Sequence, residues 1–142
     1  MVVLAAGCGG DDETTTTTTT AQPLTKAEFL RQADLICLAG DTRIEAAADD
    51  LLARGGEPPP AEVRGIALRI VVPGLEAEVR AIRALGAPAG DEATVERILR
   101  ATERGIAEIE ADPERALEGP PPGLRRAGRL AREYGSRECG AR

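Results

Sequence analysis

Apolar residues recur every three or four positions between residues 24 and 135, in four segments that proline and glycine separate. The separators are Gly55-Gly56 with Pro58-Pro59-Pro60, then Gly86-Ala87-Pro88, and last Pro120-Pro121-Pro122. This spacing places apolar side chains on one face of a helix, and no stretch alternates with the two-residue period of a strand. The pattern predicts an all-α domain over residues 24–142, an antiparallel four-helix bundle.

Three local signals mark where helices begin. Thr25-Lys26-Ala27-Glu28 is a capping box, in which the Thr25 hydroxyl accepts from the Glu28 amide and the Glu28 carboxylate accepts from the Thr25 amide. We expect Asp91 to be the N-cap residue of the third helix. Asp112-Pro113 is expected to begin a further short turn that runs to about Glu118.

The second helical segment contains Pro73-Gly74 in its interior. An interior proline lacks one backbone hydrogen bond and crowds the preceding turn. We therefore expect either a kink or two short helices at this point. Glu76 and Glu78 follow closely and are candidates to flank a cavity at the kink.

The amino-terminal segment consists of small apolar residues that end at Cys8. Leu4-Ala5-Ala6-Gly7-Cys8 resembles the end of a bacterial lipoprotein signal peptide, in which the cysteine becomes the lipid-modified first residue. The resemblance implies that residues 1–8 end a signal peptide and that Cys8 carries lipid. A working signal needs a basic region and a longer apolar stretch, so either the start lies upstream of Met1 or the segment is vestigial.

Residues 9–23 are predicted to be a disordered tether. They contain three acidic residues and seven consecutive threonines, Thr14–Thr20, and they lack apolar side chains large enough to begin packing. Fully extended, they span at most roughly 50 Å. The threonines are either O-glycosylated or an unmodified spacer.

The chain has three cysteines, and a lipid on Cys8 leaves Cys37 and Cys139 as a pair. In an oxidising envelope we expect this pair to form a disulfide. Its loop of about 100 residues would stabilise the fold by about 4–5 kcal/mol in the chain-entropy model. The alternative is two unrelated thiols, one in a core and one in a tail.

Several further segments extend the resemblance along the chain. They are Thr25-Lys26-Ala27-Glu28-Phe29, Ile36-Cys37, Leu85-Gly86-Ala87-Pro88, Tyr134-Gly135 and Cys139-Gly140. Together with the amino-terminal segment and the tether, they make the chain resemble small actinobacterial envelope lipoproteins of unassigned function. This resemblance implies a location outside the cytoplasm, a disulfide and a helical fold, and it brings no activity with it.

Composition excludes several classes of function. Eighteen basic and 24 acidic residues give a net charge of −6, which disfavours binding to nucleic acid. The chain has no histidine, the commonest general base and metal ligand, and only one Phe and one Tyr. We find no phosphate-binding loop and no redox CxxC motif. We therefore expect no catalytic residue, no cofactor and no metal site.

Acidic residues of the first helix nevertheless form a candidate cation site. Asp41, Glu45 and Asp49 fall on one face at four-residue spacing, and with Asp50 they offer oxygen ligands of the kind calcium prefers. Three carboxylates on a straight helix cannot surround an ion unaided. The favoured interpretation is therefore a solvated helix face.

The carboxy-terminal segment is basic, with a net charge of +4 from residue 123 onward against −10 for residues 1–122. Its arginines are Arg125, Arg126, Arg129, Arg132, Arg137 and Arg142. We expect them to pair with the acidic first helix beside them in the bundle. The alternative is that they meet anionic lipid head groups or an acidic envelope polymer.

Taken together, the sequence predicts a helical module outside the cytoplasm, anchored to the cytoplasmic membrane through lipid on Cys8. We expect it to act without catalysis, by binding an envelope protein, a lipid or a cell-wall polymer. An alternative is a carboxylate-based or calcium-dependent envelope enzyme. A third hypothesis is a cytosolic helical protein with reduced thiols.

Overall fold

The structure, a computed structural model, describes residues 22–141. These residues form five α-helices, a π-helical segment and a 3₁₀ turn, and none of them lies in a strand, so the all-α prediction is confirmed. The elements are α1 (Lys26–Leu52), α2 (Pro60–Ile66), the π segment (Ala67–Val71), α3 (Val72–Leu85), α4 (Glu92–Ala111), the 3₁₀ turn (Pro113–Arg115) and α5 (Pro122–Tyr134). Cys8, the threonine tract and Arg142 lie outside the described residues.

The capping box at the start of α1 is confirmed. The Glu28 amide donates to the Thr25 hydroxyl at 3.3 Å, and the Thr25 amide donates to the Glu28 carboxylate at 2.9 Å. The hydrogen bonds from Thr25 lower the pKa of Glu28. The helix ends at Leu52, three residues before Gly55, which takes a φ of 77° that favours glycine.

A π-helical segment lies on the amino-terminal side of Pro73, where the sequence predicts either a kink or two short helices. The Val72 amide donates to the carbonyl of Ala67, five residues earlier, and α3 continues without an intervening loop. Because a proline ring crowds the preceding turn, the wider π turn accommodates Pro73 while helical backbone persists on both sides.

The prediction that Asp91 is the N-cap residue of a helix is confirmed, but its side chain does not cap the helix. Asp91 occupies the N-cap position of α4, but its carboxylate makes no capping hydrogen bond. It accepts instead from the hydroxyl of Tyr134 at 2.8 Å. Asp112 likewise makes no side-chain cap, and the turn after it ends at Arg115 rather than near Glu118.

The core is aliphatic apart from one Phe and one Tyr. Helix α1 packs against α3, α3 against α4, and α4 against α5. The buried cluster consists of Phe29, Ala33, Ala67, Val72, Leu75, Val79, Val95, Leu99, Ile106, Ile109, Leu124 and Tyr134.

Two glycines allow the close approach of α4 and α5. A Cβ at Gly105 would lie 2.6 Å from the Cγ atom of Leu124, and a Cβ at Gly123 would overlap the backbone of Gly105. The Gly123 amide also donates to the Glu108 carboxylate at 2.7 Å. The contact between these helices therefore requires glycine on both sides.

We predict that Gly105→Ala destabilises the protein by about 1–3 kcal/mol, because the added methyl group forces α5 away from α4. Urea unfolding followed by circular dichroism measures the change. Gly74→Ala is the matched control, since a Cβ there meets Ile44 at an ordinary 3.9 Å and alanine favours a helix. Equal effects of the two substitutions would contradict the prediction.

Candidate functional site

A disulfide joins the middle of α1 to the carboxy-terminal turn. Cys37 is buried in α1, and Cys139 lies beyond the end of α5, 102 residues later. The Cα atoms of the pair are 5.2 Å apart. The predicted pairing is therefore confirmed, although Cys139 lies in a turn and not on the last helix.

The turn that carries Cys139 closes over a carboxylate of α1. Asp34 lies three residues before Cys37, and its Oδ1 atom accepts from the Ser136 hydroxyl at 2.5 Å and from the Glu138 amide at 3.0 Å. The amides of Arg137 and Cys139 donate to the same carboxylate. Burial acts to raise the pKa of Asp34, but these hydrogen bonds outweigh it and hold the pKa below its ordinary value.

An aromatic contact connects α1, the start of α4 and the end of α5. The rings of Phe29 and Tyr134 meet edge to face, with centroids 6.3 Å apart, and the Lys26 ammonium lies 4.1 Å from the centroid of the Tyr134 ring. Burial, followed by the hydrogen bond to Asp91, raises the pKa of Tyr134. The phenol is therefore held protonated, as the donor to Asp91.

A small cavity lies inside the core beside the disulfide. It has a volume of about 50 Å³ and is lined by apolar residues together with Glu78, Thr102 and Ser136. A water molecule needs roughly 10–15 Å³ of such volume, so the cavity has room for a few waters and not for an organic ligand.

Glu78 and Glu76 are not brought together. The Glu78 side chain is 5% exposed and packs against Gly40 of α1, where a Cβ would overlap its carboxylate. Glu76 is exposed and lies 3.8 Å from the Arg80 guanidinium. The hypothesis that both carboxylates flank one cavity is therefore wrong, because residues two apart on a helix point in different directions.

A larger groove lies between α1, the π segment and the loop before α5; we name it the acidic groove. It has a volume of about 290 Å³, near the lower end of small-molecule sites. Two acidic residues, Asp41 and Glu45, line the groove. The apolar lining consists of Ile44, Ala48, Val63, Ile66, Val71, Leu75, Ile109, Ala116, Leu117, Pro120, Pro121, Leu124 and Ala141.

Only two of the four candidate calcium ligands line the acidic groove. Asp41 and Glu45 line it, whereas Asp49 and Asp50 are exposed farther along α1 and do not. Between residues 22 and 141, no group of three His, Cys, Asp or Glu side chains is placed to hold a metal ion. The four carboxylates are thus not gathered around one point.

The expectation that the carboxy-terminal arginines pair with α1 is wrong for the residues that the structure describes. Helix α5 packs mainly against α4, and its contact with α1 is made by Tyr134 against Phe29 and Lys26. None of the five arginines from 125 to 137 forms an ion pair with another described residue. Arg125 and Arg129 donate instead to the backbone carbonyls of Pro120 and Arg125.

Sequence reasoning missed Asp34 and the groove. A signal for Asp34 was available, because it lies four residues after Leu30 and three before Cys37, within the apolar stripe of α1. The groove had no such signal, since its walls come from segments far apart in the chain.

Comparison with protein-family models, with curated proteins and with solved structures found no match to this chain. Among the described residues, no helix combines the length and apolar character that crossing a membrane requires.

We predict that Asp34→Asn destabilises the protein at neutral pH and that this difference from wild type shrinks in acid. The pKa of Asp34 is lower in the folded chain than its ordinary value of about 4. The contribution of the Asp34 carboxylate to the free energy of unfolding is therefore present above about pH 4, and it is lost as the pH falls through the pKa of the folded state. Urea unfolding at a series of pH values between about 2 and 7 measures it.

Asp49→Asn is the control for this series. Asp49 is exposed on the same helix, and its carboxylate makes no hydrogen bond to a described residue. We expect little change in the free energy of unfolding at neutral pH. If Asp49→Asn lowered the free energy of unfolding as much as Asp34→Asn does, the effect of Asp34→Asn would not come from its hydrogen bonds to the carboxy-terminal turn.

Proposed function

We propose that this chain is a lipid-anchored helical module outside the cytoplasm that binds an apolar segment of an envelope protein in the acidic groove, without catalysis. The observation that carries this proposal is the groove itself, with its apolar lining and acidic residues on one side. The proposal requires no cofactor and no metal.

The disulfide supports a location outside the cytoplasm. Bonds such as Cys37–Cys139 persist in oxidising compartments and are rare where thiols are kept reduced. The resemblance of Leu4-Ala5-Ala6-Gly7-Cys8 to a lipoprotein signal supports attachment through Cys8. In this proposal residues 9–23 are the tether that joins the helical domain to the lipid on Cys8.

The chemistry of the groove favours a partner segment that is apolar and carries a basic residue. Burial of apolar side chains against Ile66, Val71 and Leu117 supplies the attraction. Glu45 is exposed on the edge and makes no ion pair with a described residue, so it can receive a lysine or arginine. Between residues 41 and 50, α1 carries four carboxylates and a single arginine, Arg43.

The opposite wall of the groove is stiff. Pro120 and Pro121 have fixed φ angles and line it directly. The π segment contributes Val71, and π-helical turns are often found at functional sites. A wall that is ordered before binding reduces the entropy lost when a partner docks.

We further propose that the helices form an antiparallel four-helix bundle, in which α2, the π segment and α3 together count as one helix with a kink at Pro73. The connections between these four helices cover only residues 53–59, 86–91 and 112–121. Short connections favour antiparallel neighbours. The observed contacts of α1 with α3, of α3 with α4 and of α4 with α5 suit this order.

Peptide binding tests the groove. We expect a fluorescein-labelled peptide of alternating leucine and lysine to bind the full chain, and Glu45→Lys to weaken its affinity about tenfold through charge reversal. Fluorescence anisotropy measures the dissociation constant. Asp49→Lys is the matched control, because it makes the same charge change on α1 away from the groove.

Two results would count against a peptide site in this groove. One is equally tight binding of a peptide of alternating leucine and glutamate. The other is the same loss of affinity in Glu45→Lys and Asp49→Lys, which would indicate attraction to the whole acidic helix rather than to the groove.

The anchor is tested by the intact mass of protein recovered from membranes of an actinobacterial host that expresses the gene with its upstream DNA. We expect a chain that begins at Cys8 with added acyl groups and that gains the two hydrogen atoms of an opened disulfide on reduction. An unprocessed chain with free thiols would refute both the anchor and the location.

A further inference from the structure

We infer that an exposed face of α5 binds anionic lipid head groups, so that the domain lies on the membrane surface with α5 against the lipid. We name this the arginine face; it consists of Arg125, Arg126, Arg129 and Arg132. The choice of a membrane as the anionic partner rests on the proposed lipid anchor. The binding of anionic lipid itself is tested on a chain without that anchor.

The arginine face follows from helical spacing. Arg125, Arg129 and Arg132 are separated by four and three residues, so they lie in one row, and Arg126 lies beside it. All four are exposed. The opposite side of α5 is buried through Leu124, Ala127, Ala131 and Tyr134. The helix thus presents its charge outward, with Glu133 as its one acidic residue.

The charge on this face is not neutralised by other described residues. Arg125 donates to the Pro120 carbonyl at 2.7 Å, and Arg132 donates to the Gly140 carbonyl. These acceptors carry no formal charge, so the guanidinium groups keep theirs. By contrast, Arg83 of α3 lies within 3.6 Å of both Glu96 and Glu103 of α4.

The carbonyl bonds also orient the guanidinium groups. Arg125, Arg129 and Arg132 each use one N–H on a backbone carbonyl and keep their other donors for a ligand. A guanidinium binds phosphate oxygens through two parallel hydrogen bonds and is more weakly hydrated than an ammonium group. Phosphate is therefore the anion that this face suits.

A planar lipid surface fits the arginine face better than a protein or a nucleic acid does. Protein interfaces depend on buried aromatic or apolar anchors, and the exposed residues of α5 between Arg125 and Arg132 are all arginines. Residues 1–122 carry a net charge of −10, so a long polyanion that extends around the domain is repelled, whereas a flat surface can meet the arginine face alone. A membrane needs only exposed charges, and an anchored domain meets it at high effective concentration.

Vesicle sedimentation tests the inference with the full chain carrying Cys8→Ser, which prevents lipidation. We expect binding to vesicles of phosphatidylglycerol and phosphatidylcholine and little binding to phosphatidylcholine alone. Replacing Arg126 and Arg129 with glutamine should lower the partition coefficient at least tenfold, since each basic residue contributes roughly fivefold near an anionic surface. Binding should also weaken as salt is raised.

The control replaces Arg43 and Arg64 with glutamine. These arginines are exposed on α1 and α2, and the change in net charge is identical. An equal loss in both double variants would overturn the inference. Binding to vesicles of phosphatidylcholine alone would also overturn it. Binding to polyglutamate and not to vesicles would overturn it as well, and would assign the arginine face to an acidic polymer.

The outcomes separate this inference from the proposed anchor. Failure of the unlipidated chain to bind anionic vesicles, combined with an acylated Cys8 in cells, would refute the arginine face and keep the anchor. Vesicle binding that depends on Arg126 and Arg129, combined with an unacylated Cys8, would refute the anchor and keep the arginine face.

Discussion

The covalent bond between Cys37 and Cys139 is the constraint on which the arrangement of the helices depends. Helix α1 packs against α3, and α5 packs against α4, while the first and last helices meet at Tyr134, whose ring contacts Phe29 and Lys26. The disulfide and the hydrogen bonds to Asp34 attach the carboxy-terminal turn to α1 and close this chain of contacts. An aliphatic core has few directional contacts, and these bonds supply them.

Features that depend on neighbours in the chain could be predicted from the sequence. The capping box joins residues three apart, and the end of α5 at Gly135 needs only a glycine with positive φ. Asp91 shows where local reasoning stops. Its carboxylate could have capped α4, but it accepts a hydrogen bond from Tyr134, 43 residues later. No pattern among neighbouring residues predicts this long-range bond.

The same limit applies to the candidate site. Helical spacing could place Asp41 and Glu45 on one face of α1, yet the groove beside them exists because residues 63–75 and 116–121 meet that face in the folded chain. The arginines were assigned to α1 on the assumption that the first and last helices lie side by side. Glycines at 105 and 123 instead let α5 approach α4 closely, and the arginine face remains exposed.

Tyr134 gives this protein a built-in optical probe. It is the only tyrosine and the chain has no tryptophan, so its intrinsic ultraviolet fluorescence reports a single location. That location is where Phe29 of α1, Asp91 before α4 and the end of α5 meet. We expect the Asp91 carboxylate, which accepts from the Tyr134 hydroxyl, to quench this emission in the folded chain. Separation of these elements would therefore brighten the signal, and no dye or introduced reporter is needed to follow it.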